Sequence, residues 1–331
     1  MGEKKSGTAR SRRIVGVIEP GFANYSIERK TLALVGADVI SVQWHGDWSS
    51  LLRQLAHLDV AMVRDVRLDA EAIAAMKPGA GIVRYGGRVD MIDLAAARDR
   101  GIRVANVPNY GGEIEVSDHA AALTLALLRR VVSRHEKVKS GKWRVGQAEP
   151  MFRIAGATLG LVGFGKIARA YLAKMRAFGI GDVLVHDPFV TDASLAEQGA
   201  VRASVDEICQ RAQIVSLHAP LTHQNRHLVN ARTLALMSPR TVIVNTSRGG
   251  LVDEIALATA LREGRIFGAA LDVQQTEPMP TDSPLHDVPH LILSDHTAWY
   301  SEAVVLSLQQ GAAQAALEML KGDELTNWVN P

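Results

Sequence analysis

The chain has 331 residues, 47% of them hydrophobic and 22% charged, which is typical of a soluble globular protein and excludes a largely disordered one. Its length allows two domains with cores of ordinary size. The formal net charge of +2 comes from the first 13 residues, which carry five basic residues and one acid. The other 32 basic and 34 acidic residues leave the body near −2, which argues against a nucleic-acid surface.

The single cysteine, Cys209, excludes an intramolecular disulfide and suits a reducing compartment. No apolar run approaches the roughly 18 residues that cross a bilayer, and no apolar signal segment follows the start. We therefore predict a cytoplasmic protein. Residues 1–13 are predicted to form a disordered basic tail.

Short apolar runs alternate with helix-length segments in the first third of the chain. The predicted strands are 14–18, 38–42, 60–63, 81–85 and 104–107, and the predicted helices are 25–35, 50–57, 69–76 and 91–100. Such alternation predicts a mainly parallel, doubly wound sheet with helices on its faces.

A helical pattern rich in Ala and Leu then runs from 117 to 140, with Ser117 as the expected N-cap and Gly141 as the stop. After it the alternation resumes, with predicted strands at 158–162, 183–185, 214–217, 242–244, 269–273 and 291–293 and a last helix at 301–320. Two sets of strands separated by one long helix indicate two α/β domains.

A glycine pattern follows the strand at 158–162. Gly163, Gly165 and Ala168 form G-x-G-x-x-A, in which the first glycine makes the tight turn and the second lets a diphosphate approach the backbone. The next strand leads to Asp187, 24 residues after Gly163, where an acid binds the adenosine ribose hydroxyls and repels a 2′-phosphate. This predicts NAD as the cofactor and not NADP. The alternative is a purely structural glycine turn with a surface Asp.

Three polar segments follow later strands, at the carboxyl edge where open α/β sheets bind ligands. Arg248 can hold a carboxylate through two hydrogen bonds and polarise the adjacent C2 oxygen. His296 titrates in the range of a base that takes the hydroxyl proton, and Glu277 can orient it and raise its pKa. Each residue alone has an ordinary structural explanation. Together they predict oxidation of a 2-hydroxy acid.

These segments resemble the D-isomer-specific 2-hydroxyacid dehydrogenase family. The resemblance covers nearly all of residues 14–330 and rests on the glycine turn with Asp187, the SRGGLVDE run at 247–254, the LDV…EP run at 271–278 and the His296 segment. It implies that Arg248, Glu277 and His296 are the catalytic residues. It also implies that the cofactor contacts Lys166, Ile167, Ala219, Thr246 and Asp272, in addition to Gly163, Gly165 and Asp187.

The AWYSE run at 298–302 and the ending NWVN resemble the branch that holds the C-terminal-binding proteins and phosphoglycerate dehydrogenases. In that branch Trp299 would line the substrate pocket. The resemblance implies an α/β fold of two doubly wound domains, a Rossmann NAD-binding domain at 113–300 inserted in a flavodoxin-like substrate domain at 14–112 and 301–331. It also implies a homodimer built on the long helix, and we expect no regulatory domain after residue 331.

The first domain departs from the family pattern near the substrate. Gly86 and Gly87, whose backbone is expected near the substrate carboxylate, are followed by Arg88 where the family usually has glycine. Arg88 either adds a cation for a second anionic group or points to solvent. Arg64 stands where some relatives bind the distal end of the substrate, and Tyr110 could reach it from a hinge at 109–119 that is one residue longer than usual. No histidine spacing predicts a metal.

Two other functions stay open at this point. One is an NAD-sensing, corepressor-like interaction module with vestigial activity. The other is formate oxidation, against which Glu277 argues because that reaction needs no proton relay. The sequence does not select one 2-oxo acid among glyoxylate, hydroxypyruvate, 3-phosphohydroxypyruvate and bulkier acids.

Overall fold

A computed structural model describes residues 12–143 and 150–331. The chain divides into two compact units, one formed by Met1–Gly111 with Ser301–Pro331 and one by Gly112–Tyr300. Most of the predicted disordered tail, residues 1–11, lies outside the described residues, and Arg13 already belongs to the first strand. Among the described residues, no helix is both long and apolar enough to cross a membrane.

The first unit is a five-stranded parallel sheet with helices on it. Its elements in chain order are β1 (Arg13–Ile18), α1 (Ser26–Leu32), a 3-10 turn (Ala33–Val35), β2 (Ala37–Val42), α2 (Trp48–Leu55), β3 (Val60–Val63), α3 (Ala70–Ala75), β4 (Gly81–Arg84), α4 (Leu94–Asp99), β5 (Arg103–Asn106) and α12 (Glu302–Lys321). The strand order β2-β1-β3-β4-β5 is the flavodoxin-like order.

Aspartates begin three of the helices in this unit. The side chains of Asp47, Asp69 and Asp93 each accept a hydrogen bond from the free backbone N–H in the first turn of α2, α3 and α4. Each such cap stabilises its helix by about 1 kcal/mol. The helices cover an apolar core under the sheet that includes Leu51 and Leu55 of α2.

The second unit is a seven-stranded parallel sheet. Its elements in chain order are α5 (Gly112–Leu128), α6 (Val131–Lys139), β6 (Leu159–Val162), α7 (Lys166–Ala177), β7 (Val183–His186), α8 (Asp192–Glu197), β8 (Val201–Arg202), α9 (Val205–Arg211), β9 (Ile214–Leu217), α10 (Ala231–Ala235), β10 (Val242–Asn245), a 3-10 turn (Gly249–Leu251), α11 (Glu254–Arg262), β11 (Gly268–Leu271) and β12 (Leu291–Leu293).

The strand order of this sheet is β8-β7-β6-β9-β10-β11-β12, which contains the Rossmann order. The order reverses between β6 and β9, so a crevice forms beyond their carboxyl ends, where dinucleotides bind in this fold. The predicted fold class is confirmed.

The prediction of one helix from 117 to 140 with Ser117 as its N-cap is wrong. The segment forms α5 and α6, separated at Arg130, whose φ of 52° lies in the left-handed region. Tertiary contacts hold this break: the Arg130 guanidinium lies 4.2 Å from the centre of the Phe267 ring and its Nη1 is 2.8 Å from His290 Nδ1. Ser117 lies inside α5, where its hydroxyl donates to the carbonyl of Glu113 at 2.6 Å. Most of the predicted hinge at 109–119 is therefore helical.

Candidate active site

The glycine turn after β6 fits a dinucleotide. Gly163 has a φ of +87°, and a Cβ there would lie 2.7 Å from the backbone nitrogen of Ala219, so only glycine is accommodated. Gly165 is the N-cap of α7, and a Cβ there would meet nothing within 4 Å. The turn therefore leaves open space at the positive end of a 12-residue helix, which is the environment that a diphosphate needs.

The predicted ribose-binding acid is tied to this turn. Asp187 follows β7, and its Oδ2 accepts the backbone N–H of Phe164 at 2.7 Å. Its Oδ1 accepts the backbone N–H of Phe189 at 2.8 Å. The Asp187 carboxylate thus joins the loop after β7 to the loop after β6, at the carboxyl edge of the sheet.

The other predicted cofactor residues lie at the carboxyl ends of neighbouring strands. Lys166 and Ile167 begin α7, and Ala219 follows β9, where its backbone packs against Gly163. Thr246 follows β10, and its Oγ1 is buried without a hydrogen-bond partner among the described residues. A buried hydroxyl with no partner is costly unless a ligand pairs with it. The residues present therefore fit a bound dinucleotide.

Arg248 is held by a turn at the end of β10. Buried Asn245 accepts the backbone N–H of Ser247 at 3.0 Å and donates to the carbonyl of Arg248 at 2.9 Å. A Cβ on the next residue, Gly249, would lie 1.9 Å from the carbonyl carbon of Gln274. The absence of a side chain at Gly249 therefore lets the Arg248 turn lie directly on the segment that leads to Glu277.

A second contact joins the same two segments. Glu254, at the end of the SRGGLVDE run, accepts the backbone N–H of Gln275 at 2.7 Å through its Oε1. The Glu254 carboxylate is buried, so this charge-assisted hydrogen bond is shielded from water. The runs at 247–254 and 271–278 are thus in contact at two points.

His296 and Glu277 form a close pair. His296 Nδ1 lies 2.6 Å from Glu277 Oε2, and the side chains are 44% and 34% exposed. Burial raises the pKa of Glu277, but the hydrogen bonds from His296 and from the Gln274 N–H outweigh it and hold this pKa below its ordinary value. An ionised Glu277 keeps the proton of His296 on Nδ1, so the lone pair of the neutral ring is on Nε2.

Asp272, expected to contact the cofactor, directs its carboxylate to the His296 loop. It is fully buried, and it accepts the hydroxyl of Ser294 at 2.7 Å and the backbone N–H groups of Thr297 and Ala298 at 3.0 Å each. His119 Nε2 lies 3.0 Å from the Ser294 hydroxyl, which extends the network to α5.

Sequence reasoning missed Ser294, His119 and Gln274 as supports of this site. Gln274 Nε2 donates to the carbonyl of Ser294 at 3.2 Å and so links the Glu277 segment to the His296 segment. The available signal was the presence of polar residues directly after β11 and β12, which does not show which atoms will meet, and His119 lies on α5 without a distinguishing pattern. Trp299, expected to line the pocket, packs edge-on against Tyr300 with ring centres 5.7 Å apart.

In the first unit, the predicted substrate residues follow β3 and β4. Arg64 Nη1 donates to the carbonyl of Gly21 at 2.8 Å, and its Nε lies 2.6 Å from Asp65. Arg88 forms two hydrogen bonds with Asp90, Nε to Oδ1 at 2.9 Å and Nη2 to Oδ2 at 2.6 Å. Both cations are therefore paired with carboxylates of their own unit.

The glycines beside Arg88 have a clear backbone requirement. Gly86 has a φ of +115°, which side-chain-bearing residues rarely adopt, and its carbonyl accepts the N–H of Val107 at 3.1 Å. The carbonyl of Gly87 accepts from the Asn106 amide at 2.6 Å. Tyr110 lies at the end of this unit and is partly buried. In the part of the chain that the structure describes, no three His, Cys, Asp or Glu residues cluster as metal ligands would.

Comparisons with known proteins agree with this geometry. The family model described as "D-isomer specific 2-hydroxyacid dehydrogenase, NAD binding domain" matches residues 121–298, which confirms a nicotinamide dinucleotide as the cofactor class. The chain is 35% identical over 273 residues to the D-3-phosphoglycerate dehydrogenase of Mycobacterium leprae (strain TN), across 82% of this chain and 51% of the relative. It thus spans about half the length of the curated relatives it matches.

Two solved structures match almost end to end. The TT0316 protein from Thermus thermophilus has a TM-score of 0.85 at 31% identity, covering 96% of this chain and 99% of that one. A glyoxylate reductase from Paecilomyes thermophila has a TM-score of 0.83 at 25% identity, covering 97% and 99%.

Proposed function

This chain belongs to the D-isomer-specific 2-hydroxyacid dehydrogenase family, and we propose that it interconverts a small D-2-hydroxy acid and its 2-oxo acid with NAD as cofactor. The observation that carries the proposal is the 2.6 Å contact between His296 Nδ1 and Glu277 Oε2, on a segment packed against the Arg248 turn through Gly249.

Each of the three side chains has a chemical task in this reaction. Arg248 binds the substrate carboxylate through its planar guanidinium and polarises the C2 oxygen. In the reducing direction, His296 donates a proton from Nε2 to that oxygen; in the oxidising direction it accepts the hydroxyl proton. Glu277 stabilises the imidazolium and fixes the ring orientation through Nδ1.

The cofactor supplies or accepts the hydride when it is bound. Gly163 and Gly165 would leave room for its diphosphate, and Thr246 would pair its buried hydroxyl with it. Asp187 would bind the adenosine ribose hydroxyls, and its charge would oppose a 2′-phosphate. This is why we propose NAD and not NADP.

Residues of the first unit are proposed to select the substrate. Arg64, the Gly86–Gly87 backbone, Arg88 and Tyr110 are the candidates there, and Trp299 is the candidate in the second unit. Because Asp90 already neutralises Arg88, we expect Arg88→Gly to leave the order of preferred 2-oxo acids unchanged. A selective loss of activity toward phosphorylated or dicarboxylic acids would instead assign Arg88 to the second anionic group.

We also propose a homodimer. Exposed apolar side chains cluster in sequence on and after α6, an unusual feature for a surface helix. They are Val131, Val132, Val138, Trp143 and Met151. The buried thiol of Cys209 fits a reducing compartment, and we propose the cytoplasm. The corepressor-like alternative gains no support from the relatives described above, because their names denote a dehydrogenase and a reductase.

The test is oxidation of NADH, followed by absorbance, with a panel of 2-oxo acids. We expect turnover of at least one acid, and a loss of kcat of about 1,000-fold in His296→Asn, since general acid–base catalysis contributes about 100- to 10,000-fold. Asn tolerates the left-handed φ of 58° at this position, which limits damage to the fold. The matched control is His45→Asn, at another exposed histidine with a left-handed φ of 46°.

If no acid in the panel oxidises NADH, the proposed activity is wrong. If turnover occurs and survives His296→Asn, the activity stands and the role of His296 is wrong.

A further inference from the structure

The loop after β7 is held by an arginine from the neighbouring edge strand. Arg202 lies on β8 and pairs in register with Val185 of β7. Its Nη1 donates to the carbonyl of Asp187 at 2.7 Å, its Nη2 donates to the carbonyl of Val190, and its Nε lies 2.5 Å from Asp192 Oδ1. One guanidinium therefore contacts three acceptors spread over six residues of the loop at 187–192.

This loop has few other anchors. Phe189 is 92% exposed and the Asp192 side chain is 79% exposed, so neither is fixed by burial. Val190 packs partly against the core, and Thr191 caps α8 through its hydroxyl. The backbone of Asp187 is thus positioned mainly by β7 on one side and by Arg202 on the other.

The geometry at Asp187 explains why this matters. Its carboxylate accepts the N–H groups of Phe164 and Phe189, at 2.7 and 2.8 Å, and both bonds depend on where the Asp187 backbone stands. Arg169 of α7 makes a second link, donating to the carbonyl of Phe164 at 3.2 Å and to the Ser194 hydroxyl at 3.3 Å. The glycine turn is therefore connected to the segment after β7 by the Asp187 carboxylate and to α8 by Arg169.

From this geometry we infer that Arg202 is a positioning residue of the dinucleotide site: it fixes the 187–192 loop so that Asp187 stays aligned with the glycine turn, and it thereby sets NADH affinity and the preference for NADH over NADPH. This inference rests on the proposed NAD cofactor. An exposed arginine on an edge strand often serves only to block edge pairing. That role does not require three acceptors from one loop to converge on the guanidinium.

The expected signature is a change in cofactor binding alone. Arg202→Ala releases the three acceptors to water, so the loop samples positions in which Asp187 no longer meets the ribose. We expect the Kd for NADH to rise by about 10-fold and the ratio of the NADPH Kd to the NADH Kd to fall. The kcat at saturating NADH and the KM for the 2-oxo acid should each change by less than about 2-fold. The strands that precede Arg248, Glu277 and His296 are β10, β11 and β12, which are separated from β8 by at least three strands in the sheet order. We therefore expect kcat to be unaffected.

A conservative variant separates charge from geometry. Arg202→Lys keeps the positive charge, but its single ammonium group lacks the planar fork that reaches three acceptors. We expect it to restore only part of the NADH affinity. A full recovery would mean that charge alone matters and would contradict the positioning role.

The experiment is isothermal titration calorimetry of the full chain with NADH and with NADPH, accompanied by thermal unfolding. Arg232→Ala is the matched control, because Arg232 forms an exposed two-bond pair with Asp206 in the same unit, and both bonds go to Asp206 and not to the segment at 187–192. Both alanine variants should lose similar, small amounts of Tm, while only Arg202→Ala weakens NADH binding.

Equal NADH affinity in wild type, Arg202→Ala and Arg202→Lys would overturn the inference and leave the proposed function intact. If Arg202→Ala does not fold, the Arg202→Lys titration decides. Failure of the wild type to bind NADH would overturn both.

Discussion

The contact between Gly249 and Gln274 allows a sharp test of how the site is assembled. In Gly249→Ala the added methyl carbon would lie 1.9 Å from the carbonyl carbon of Gln274 and 2.0 Å from its oxygen. Ordinary contact begins at 3.4 Å, so the two segments must separate by about 1.5 Å. Both atoms belong to the backbone, which cannot rotate away. The Arg248 turn must therefore move relative to the Glu277–His296 pair.

A displacement of about 1 Å at reacting groups can cost about 100-fold in rate, so we expect kcat to fall by about that factor. Overpacking should also lower the free energy of unfolding by about 1–3 kcal/mol. Binding of NADH should weaken by a smaller factor than kcat falls, because the displaced turn carries Thr246, one proposed cofactor contact, whereas the glycine turn after β6 is not involved. The assays are steady-state turnover, NADH titration and urea unfolding.

The neighbouring position supplies the control. In Gly250→Ala the methyl would lie 2.7 Å from the end of the Leu221 side chain, which can rotate away, so this variant should stay within a few-fold of wild type. If turnover in Gly249→Ala is as high as in Gly250→Ala, this backbone contact does not position Arg248 relative to Glu277 and His296, and the reasoning is refuted.

Two further predictions concern titrating groups. Glu277→Gln should lower kcat by about 100-fold. The folded-state pKa of Glu277 is lowered, so the stability that wild type gains from the His296–Glu277 pair should be fully present above the unfolded-state pKa of 4.5. It should be lost as the pH falls through the folded-state pKa. Urea unfolding at several pH values checks this, and a wild-type-to-variant difference that grows in acid would contradict it. Burial lowers the pKa of His218 to about 4 from 6.5, so the folded state resists a proton that the unfolded chain takes up below pH 6.5. Wild type should therefore lose about 2 kcal/mol between pH 7.5 and pH 5 relative to His218→Asn, and equal losses in the two proteins would show that His218 does not resist protonation.

Much of the fold was predictable because parallel strands buried on both faces are short apolar runs that stand out in the sequence. The four-residue strands at Val60–Val63 and Ile214–Leu217 were located to the residue. Asp187 was the residue to propose for the ribose because a single acid follows the strand after the glycine turn, and the structure places it in contact with that turn through the Phe164 N–H. The close approach of His296 and Glu277 was inferred from chemistry and not from local pattern.

The features that sequence reasoning missed depend on contacts between distant residues. Ser117 looks like a helix cap, but the helix begins five residues earlier at Gly112. The break at Arg130 depends on Phe267 and His290, which no local pattern connects to it. Strand β8 is only two residues long and both are exposed, so it has no apolar pattern in the sequence, and nothing local indicated that Arg202 contacts the segment after β7.

The arrangement around Asp272 explains how the imidazole of His296, the proposed acid–base, is held. His296 has a left-handed φ of 58°, a conformation that costs about 1 kcal/mol or more for a residue with a side chain. The N–H groups of the two residues after it both point to the buried Asp272 carboxylate, at 3.0 Å each, and charge-assisted bonds of this kind exceed that cost. His296 therefore adopts the strained conformation because it places the N–H groups of Thr297 and Ala298 where they donate to the buried Asp272 carboxylate. Glu277 Oε2, 2.6 Å from Nδ1, holds the ring of the same residue through its side chain.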